Sequence, residues 1–578
     1  MGSGAVMGRN DWFTIAAMGA VATFCFTAGL RWGLPSRERN SLCFTTRQSL
    51  EVTLQQLSEY QLEQAWKGMG AYLAAHPEEA GKKLSRSLYN PIRSYHPDEY
   101  FILKSLATMD PKRFDFHPHQ FGVGGAYLYL VGGVIFLLSR CGLITVSQDL
   151  KFAFSRPEEF ANLYLCGRAV TVLYGVATVV LFYLLAVRLL KKKEMAAVAT
   201  WLLLWTPLMV LNTHYMYVDV PGLFWTVATL WFTFFFLSAG AIKWVSLAGV
   251  CAGLACGCKF TLLVTVVLPV LGILWQRTSP GRRLRNLLVA AGCFILAFGF
   301  TNPYFFLSLP EPLIDLSQHS GRAFQGGFYL VSLLTGMGWP LVIFLAAGYL
   351  LLACSGGREE VNRSFLSLLF VWSVFFFFFV ASFAKTFARY LLPVVPALIL
   401  LGSAGWLLPL THKSFLKWVG TGFCCLVLIG TTLCGGAYLS LFLQENVRTR
   451  AGRWMKENLP AGARVGVTEE PWQFQLPDFD RQRFSVLVAG YDIESVKRLQ
   501  PEYFLLSSFQ APLVPYPLKL NRERVIFWRD FTVLAWYQPV KTFQEKASLL
   551  GWSCQPEALP EDLIYINPTI VVFKKVRP

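Results

Sequence analysis

The chain has 578 residues, of which 54% are hydrophobic, 15% aromatic and only 15% charged. So much apolar surface with so little charge excludes a soluble protein of this length, for which about four domains would be ordinary, and excludes a disordered one. The formal net charge of +17 reads as cytoplasmic anchoring and contact with anionic lipid; nucleic acid is not an expected partner.

Apolar stretches long enough to cross about 30 Å of hydrocarbon lie near residues 12–31, 163–190, 195–212, 220–238, 286–306, 329–352, 365–383, 388–409 and 417–441. The first is not a cleavable signal: it has no basic lead-in or small-residue cleavage site and runs directly into Arg31 and Trp32. Residues 243–275 are apolar except for Lys259. That stretch is too long for one crossing and reads as a hairpin with Lys259 at its turn. Short basic loops at Arg188–Lys193, Arg277–Arg285, Arg358–Arg363 and Lys413–Lys417 mark the cytoplasmic side. With these inside, the chain has eleven spans, an internal N-terminus and an external C-terminus. Val123–Leu138 does not fit as a crossing, because counting it would move Lys191–Lys193 outside. It is short and Gly-rich, and reads as a re-entrant or interface-lying helix.

The expected fold is therefore a polytopic α-helical membrane protein with about 11 transmembrane helices, an interfacial helix and a small C-terminal extracytoplasmic α/β domain. Residues 1–445 form the transmembrane part, with a long first external loop at 33–160, and 446–578 form the terminal domain. In the latter, Arg450–Asn458 reads as an amphipathic helix, Arg464–Thr468 as a strand, Ile493–Leu499 as a helix, and Tyr503–Leu506 and Ile570–Phe573 as strands. Within the first loop, Thr46–Tyr89 is polar and helical in pattern, with Leu54, Leu57, Tyr60, Leu62, Trp66 and Met69 available to pack. Its role as lid, acceptor-docking element or scaffold is open. Most of the 13 cysteines fall in apolar runs. Cys251, Cys256 and Cys258 have no nearby histidine or carboxylate to complete a metal site, and Cys554 stands alone in the terminal domain, so no disulfide framework is expected.

Polar residues carry most information where an apolar protein can least accommodate them. His96-Pro-Asp98-Glu99 precedes an apolar stretch in the first external loop. Its carboxylates suit a general base or a holder of an acceptor hydroxyl; helix N-capping is the plainer alternative. Asp219, in His214-Tyr-Met-Tyr-Val-Asp219-Val-Pro221, falls on the same expected side, as do Lys259 and Arg389-Tyr390. Each alone reads equally as a cap, a snorkelling lysine or a helix anchor. Together, carboxylates and cations at one lipid boundary suit a substrate with a phosphate head and a lipid tail. His117-Pro-His119 is the best candidate for a divalent metal, with Asp98 and Asp219 nearby in topology; interfacial hydrogen bonding is the other reading.

These landmarks, taken in order, resemble the GT-C polytopic glycosyltransferases, in the branch of the protein O-mannosyltransferases and the lipid A aminoarabinose transferase. The series runs from Asp98-Glu99 through Phe116–Tyr129, Asp219-Val-Pro221, the Gly-rich Ala252–Lys259, Thr301-Asn-Pro-Tyr304 and Arg389-Tyr-Leu-Leu-Pro-Val-Val-Pro396, to Trp454–Gly462. The resemblance implies a GT-C fold and a polyprenyl-phosphate sugar donor, with transfer to a lipid, glycan or protein acceptor and inversion at the sugar. It implies Asp98 as base, Glu99 as an orienting catalytic partner, Lys259 and Arg389 on the lipid phosphate and Asp219 shaping the pocket; Tyr390, His96, His117 and His119 are further candidate substrate-binding residues. No cofactor is required by it beyond a candidate divalent metal, and a bacterial inner membrane is the favoured location. About sixty residues between the first span and Asp98 depart from the usual short spacing. The competing reading is a transporter or flippase for a lipid-linked substrate, which would need pseudo-symmetric halves and broken spans around a midplane site.

Overall fold

A computed structural model describes residues 9–57, 86–317, 321–354, 363–411, 415–553 and 555–576. Most of the insert at 46–89 and the loop Arg358–Arg363 lie outside these residues, apart from the helix Arg47–Leu57, the turn Arg86–Ile92 and Arg363 itself. The chain is a multi-pass membrane protein: among the described residues six helices are long and apolar enough to cross, and two bent pairs can each supply one more. The three other expected crossings fall on the shorter apolar helices Asp11–Thr27, Ile242–Cys258 and Phe260–Trp275.

Local sequence explains the breaks. Pro157–Leu190 runs unbroken for 34 residues, about 50 Å at 1.5 Å per residue. Pro157 and two glutamates open it, and Lys191 closes it in the left-handed region. The expected crossing at 195–212 is instead Lys193–Leu204 and Pro207–Thr213, bent by 58°, because Pro207 cannot donate to the preceding turn. The expected single crossing at 329–352 is also corrected. Gly326–Met337 and Trp339–Cys354 meet at 110° around Gly338, whose φ of 81° suits glycine alone. The hairpin at 243–275 has the expected form: Lys259 at its tip touches Asp219, and Gln276 at its far end donates to the Phe236 carbonyl. Gly125–Arg140 has sixteen residues, fewer than a crossing needs. It is tied to that hairpin tip by the Gly124 N–H on the Cys258 carbonyl.

In the terminal region, β1 (Arg464–Val467), β2 (Ser485–Val488), β3 (Tyr503–Ser507), β5 (Tyr537–Phe543) and β7 (Ile570–Lys575) form a sheet in the order β2-β1-β3-β7-β5. The first three strands run parallel, and β7 and β5 pair antiparallel beyond them. β4 (Tyr516–Pro517) and β6 (Ala558–Leu559) make a separate two-stranded ladder. The residues between β6 and β7, Glu561–Ile564, form one short helical turn. The sheet is fastened to the first loop by a buried polar knot. Asp478 accepts from Arg39 Nε (2.7 Å) and from Tyr95 Oη (2.9 Å). Arg39 also donates to the carbonyls of Asn90 and Arg93, so none of its charge is left unpartnered at the centre of the contact.

Candidate active site

Asp98 stands at the N-cap position of the helix Glu99–Ala107, yet its side chain makes no capping bond. Its Oδ2 accepts instead from Arg389 Nη2 at 2.7 Å. Arg389 opens the 3₁₀ turn Ala388–Val394, which leads into the helix Val395–Thr411. Its Nε lies 3.6 Å from Asp219 Oδ2, an ionic contact too long for a hydrogen bond. Asp219 begins the helix Asp219–Ala239, and its Oδ1 receives Lys259 Nζ at 2.5 Å. Lys259 sits where Ile242–Cys258 ends, with its ammonium 4.1 Å from the Tyr390 ring centroid. Asp98, Arg389, Asp219 and Lys259 thus form one continuous ion cluster drawn from four separate parts of the chain.

The cluster borders a cavity. Asp219, Lys259, Arg389 and Tyr390 form its polar lining, and Leu262, Phe376, Val380 and Phe383 its apolar wall. Arg389 is 3% exposed, and its Nε and Nη1 have no hydrogen-bond partner among the described residues. Two buried donors held beside a cavity are costly in isolation and are available to an anionic ligand. Two carboxylates and two cations cancel, so the cluster carries no net charge.

Glu99 does not share this cluster; its surroundings are those of a buried ion pair. Its two oxygens accept from Arg168 Nε and Nη2, each at 2.7 Å, and Oε1 also accepts the Met216 N–H at 2.7 Å. Both side chains of this pair are wholly buried. Arg168 Nη1 reaches the carbonyls of Leu30 and Trp32 as well, so the pair joins the first span, the first loop and the helix Pro157–Leu190. Successive residues at a helix start point about 100° apart, which is how Asp98 reaches Arg389 while Glu99 faces the core.

His96 is buried against Tyr215, with ring centroids 4.2 Å apart, and meets Tyr565 edge-on. Its Nδ1 accepts the Asp98 N–H at 3.3 Å. Burial first, then the nearby Arg389 and Arg168, holds it well below the usual histidine range. It packs beneath Asp98 as a neutral ring and is not a surface open to substrate.

His117 and His119 lie apart from Asp98 and Asp219, whose carboxylates are engaged by Arg389 and Lys259. They gather with Glu311, the ligand atoms of the three lying within 4.8 Å of one another. His117 Nδ1 already accepts the His119 N–H, which leaves Nε2, 3.6 Å from the Glu311 carboxylate. Two imidazoles and one carboxylate are a donor set that can hold a divalent cation. Cys251, Cys256 and Cys258 are buried and free, and Cys554 lies outside the described residues.

Two functional contacts were not anticipated. Arg168 could have been found, being a lone charge inside an apolar stretch. The other is Asp562 of the terminal region, whose carboxylate accepts the N–H groups of Ala388 and Arg389. Nothing in its own neighbourhood, Pro560-Glu-Asp562, marks it.

Residues 141–301 match the family of dolichyl-phosphate-mannose-protein mannosyltransferases. A relative from Pseudomonas fluorescens, undecaprenyl phosphate-alpha-4-amino-4-deoxy-L-arabinose arabinosyl transferase 1, is 30% identical over 256 residues, which is 39% of this chain and 43% of the relative. The matched stretch therefore spans less than half of that relative's length. Among solved structures, ArnT from Cupriavidus metallidurans bound to undecaprenyl phosphate covers 98% of each chain at 13% identity, with a TM-score of 0.46. The oligosaccharyltransferase AglB from Archaeoglobus fulgidus covers 87% of this chain and 70% of its own at 12% identity, with a TM-score of 0.40. The resemblance to polytopic glycosyltransferases read from the ordered motifs is met by the family match and by the Pseudomonas relative.

Proposed function

We propose that the chain transfers a monosaccharide from a polyprenyl-phosphate donor to a hydroxyl of a lipid, glycan or protein acceptor, on the extracytoplasmic side of a bacterial inner membrane. The observation that carries this reading is Arg389: it spans two carboxylates, keeps two buried donors unpartnered, and borders a cavity with an apolar wall. A planar guanidinium with free N–H groups is suited to phosphate oxygens, and an apolar wall to a prenyl chain. The Pseudomonas relative is named for an undecaprenyl-phosphate sugar, which agrees with that donor class.

When the donor phosphate enters, Arg389 and Lys259 turn part of their bonding from the carboxylates to its oxygens. Asp98, released from Arg389 Nη2, accepts the proton of the acceptor hydroxyl as that oxygen bonds to the anomeric carbon. The bond from the anomeric carbon to the phosphate oxygen breaks, and its electron pair leaves on the phosphate, still held by the two cations. One displacement from the face opposite the phosphate inverts the sugar. Asp219 keeps Lys259 and Arg389 in place, and Tyr390 backs the Lys259 ammonium.

The test is donor consumption by the purified chain in detergent with undecaprenyl-phosphate sugars and candidate acceptors. Asp98→Asn is expected to lower turnover about 10²–10⁴-fold, the usual contribution of a general base. Turnover in Asp98→Asn equal to the parent, or no donor consumed by the parent, defeats the reading.

A further inference from the structure

The turn that carries Arg389 cannot cap itself. Its N-cap residue is Phe387, which offers no side-chain acceptor, and the first amides of any helical turn lack an internal partner. In an apolar setting an unpaired N–H is expensive. The missing acceptor comes from a point 173 residues away. Asp562 Oδ1 accepts the Ala388 N–H at 3.0 Å, and Oδ2 accepts the Arg389 N–H at 2.9 Å. Asp562 is buried, so water does not substitute for it. The same turn of the terminal region is itself fixed: Arg448 Nη2 donates to the Tyr565 carbonyl at 2.8 Å, and the Tyr565 ring meets His96 edge-on at 5.4 Å. Burial raises the Asp562 carboxyl above its ordinary range, while the Arg389 charge and the two amides oppose that shift.

We propose that Asp562 is a positioning residue which fixes the backbone of Arg389, so that the ion cluster is complete only with the terminal domain seated on the helical bundle. This rests on the reading of Arg389 as the ligand of the donor phosphate. A carboxylate with one oxygen on each of two successive amides defines where the Arg389 backbone starts. From there the side chain reaches Asp98 at 2.7 Å and Asp219 at 3.6 Å. Asparagine cannot replace it fully, because its NH₂ would face one of the two N–H groups.

The experiment uses the full chain in detergent, with Asp562→Ala, Asp562→Asn and, as control, Asp492→Ala. Asp492 caps the surface helix Ile493–Leu499 of the same domain. Hydrogen exchange at the Ala388 and Arg389 amides is expected to quicken at least about tenfold in both Asp562 variants and to stay as in the parent in Asp492→Ala. Binding of undecaprenyl phosphate is expected to weaken about tenfold in Asp562→Ala, and by less than about twofold when the same change is made on Arg389→Ala. Unchanged exchange at the two amides, or full additivity with Arg389→Ala, overturns the proposal. Exchange and binding as expected, with no sugar donor consumed by the parent, supports the positioning role and defeats only the transferase reading.

Discussion

Replacing Glu99 with glutamine separates a structural carboxylate from a catalytic one. Glu99 accepts three hydrogen bonds of 2.7 Å, two of them from a guanidinium, in a place that water does not reach. Glutamine keeps one acceptor oxygen for Arg168 Nε and the Met216 N–H, but turns an NH₂ toward Arg168 Nη2 and leaves the Arg168 charge without a counter-ion. Removing one partner of a fully buried pair costs about 3–5 kcal/mol, a large share of the roughly 5–15 kcal/mol that holds a folded protein together. The thermal midpoint in detergent should fall by about 6–20 °C on the scale of a few degrees per kcal/mol. Well below that midpoint, turnover should stay within about tenfold of the parent, because Glu99 is wholly buried against Arg168 and Met216 and has no part in the ion cluster. Asp98→Asn, which leaves Arg389 with Asp219 as its other carboxylate, should lower the midpoint by less while losing about 10²–10⁴ in rate. A Glu99→Gln protein that melts like the parent but has lost turnover a hundredfold or more would return Glu99 to the chemistry and refute this assignment.

Two further outcomes follow from the same geometry. His96 is neutral in the folded chain because burial and two nearby guanidinium groups depress its pKa. Below its ordinary value of about 6.5 the unfolded state binds a proton that the folded state refuses, so stability drains away as pH falls, by up to about 1.4 kcal/mol per pH unit. His96→Gln should flatten that slope between about pH 7 and about pH 5; an unchanged slope in denaturant unfolding would exclude His96 as its source. Asp98→Asn should bind undecaprenyl phosphate several-fold more tightly than the parent, since it removes a negative charge that competes for Arg389 Nη2. Weaker binding in a ligand-induced thermal shift would count against phosphate and Asp98 sharing that donor.

The four charges of the cluster were legible because each interrupts or borders an apolar run, where a charge needs a reason. The terminal helix at 493–499 and the strands near 464, 503 and 570 were legible from alternation and punctuation alone. The separation of Glu99 from Asp98 was not legible because adjacency in sequence suggests a shared site, whereas a helix start sends neighbours to different sides. The 110° bend at Gly338 escaped because hydropathy does not register a backbone angle, although Pro340 two residues on was a signal. Arg168 carried a signal that the apolar length of its helix concealed. Asp562 carried none: an acidic residue in a polar domain is ordinary until the fold sets it against the amides of Ala388 and Arg389.

The overall charge of +17 and the neutrality of the cluster describe different tasks. The basic excess in short loops is the sequence's signal for orientation and lies apart from the residues lining the cavity. In the cluster, equal numbers of carboxylates and cations leave no net positive charge, so a phosphate meets Arg389 Nε and Nη1 as donors without a hydrogen-bond partner among the described residues and competes with Asp98 and Asp219 for the rest. On the proposed reading, Asp98 is bonded to Arg389 before the donor arrives, and a phosphate that takes Nη2 leaves that carboxylate free to face the acceptor hydroxyl.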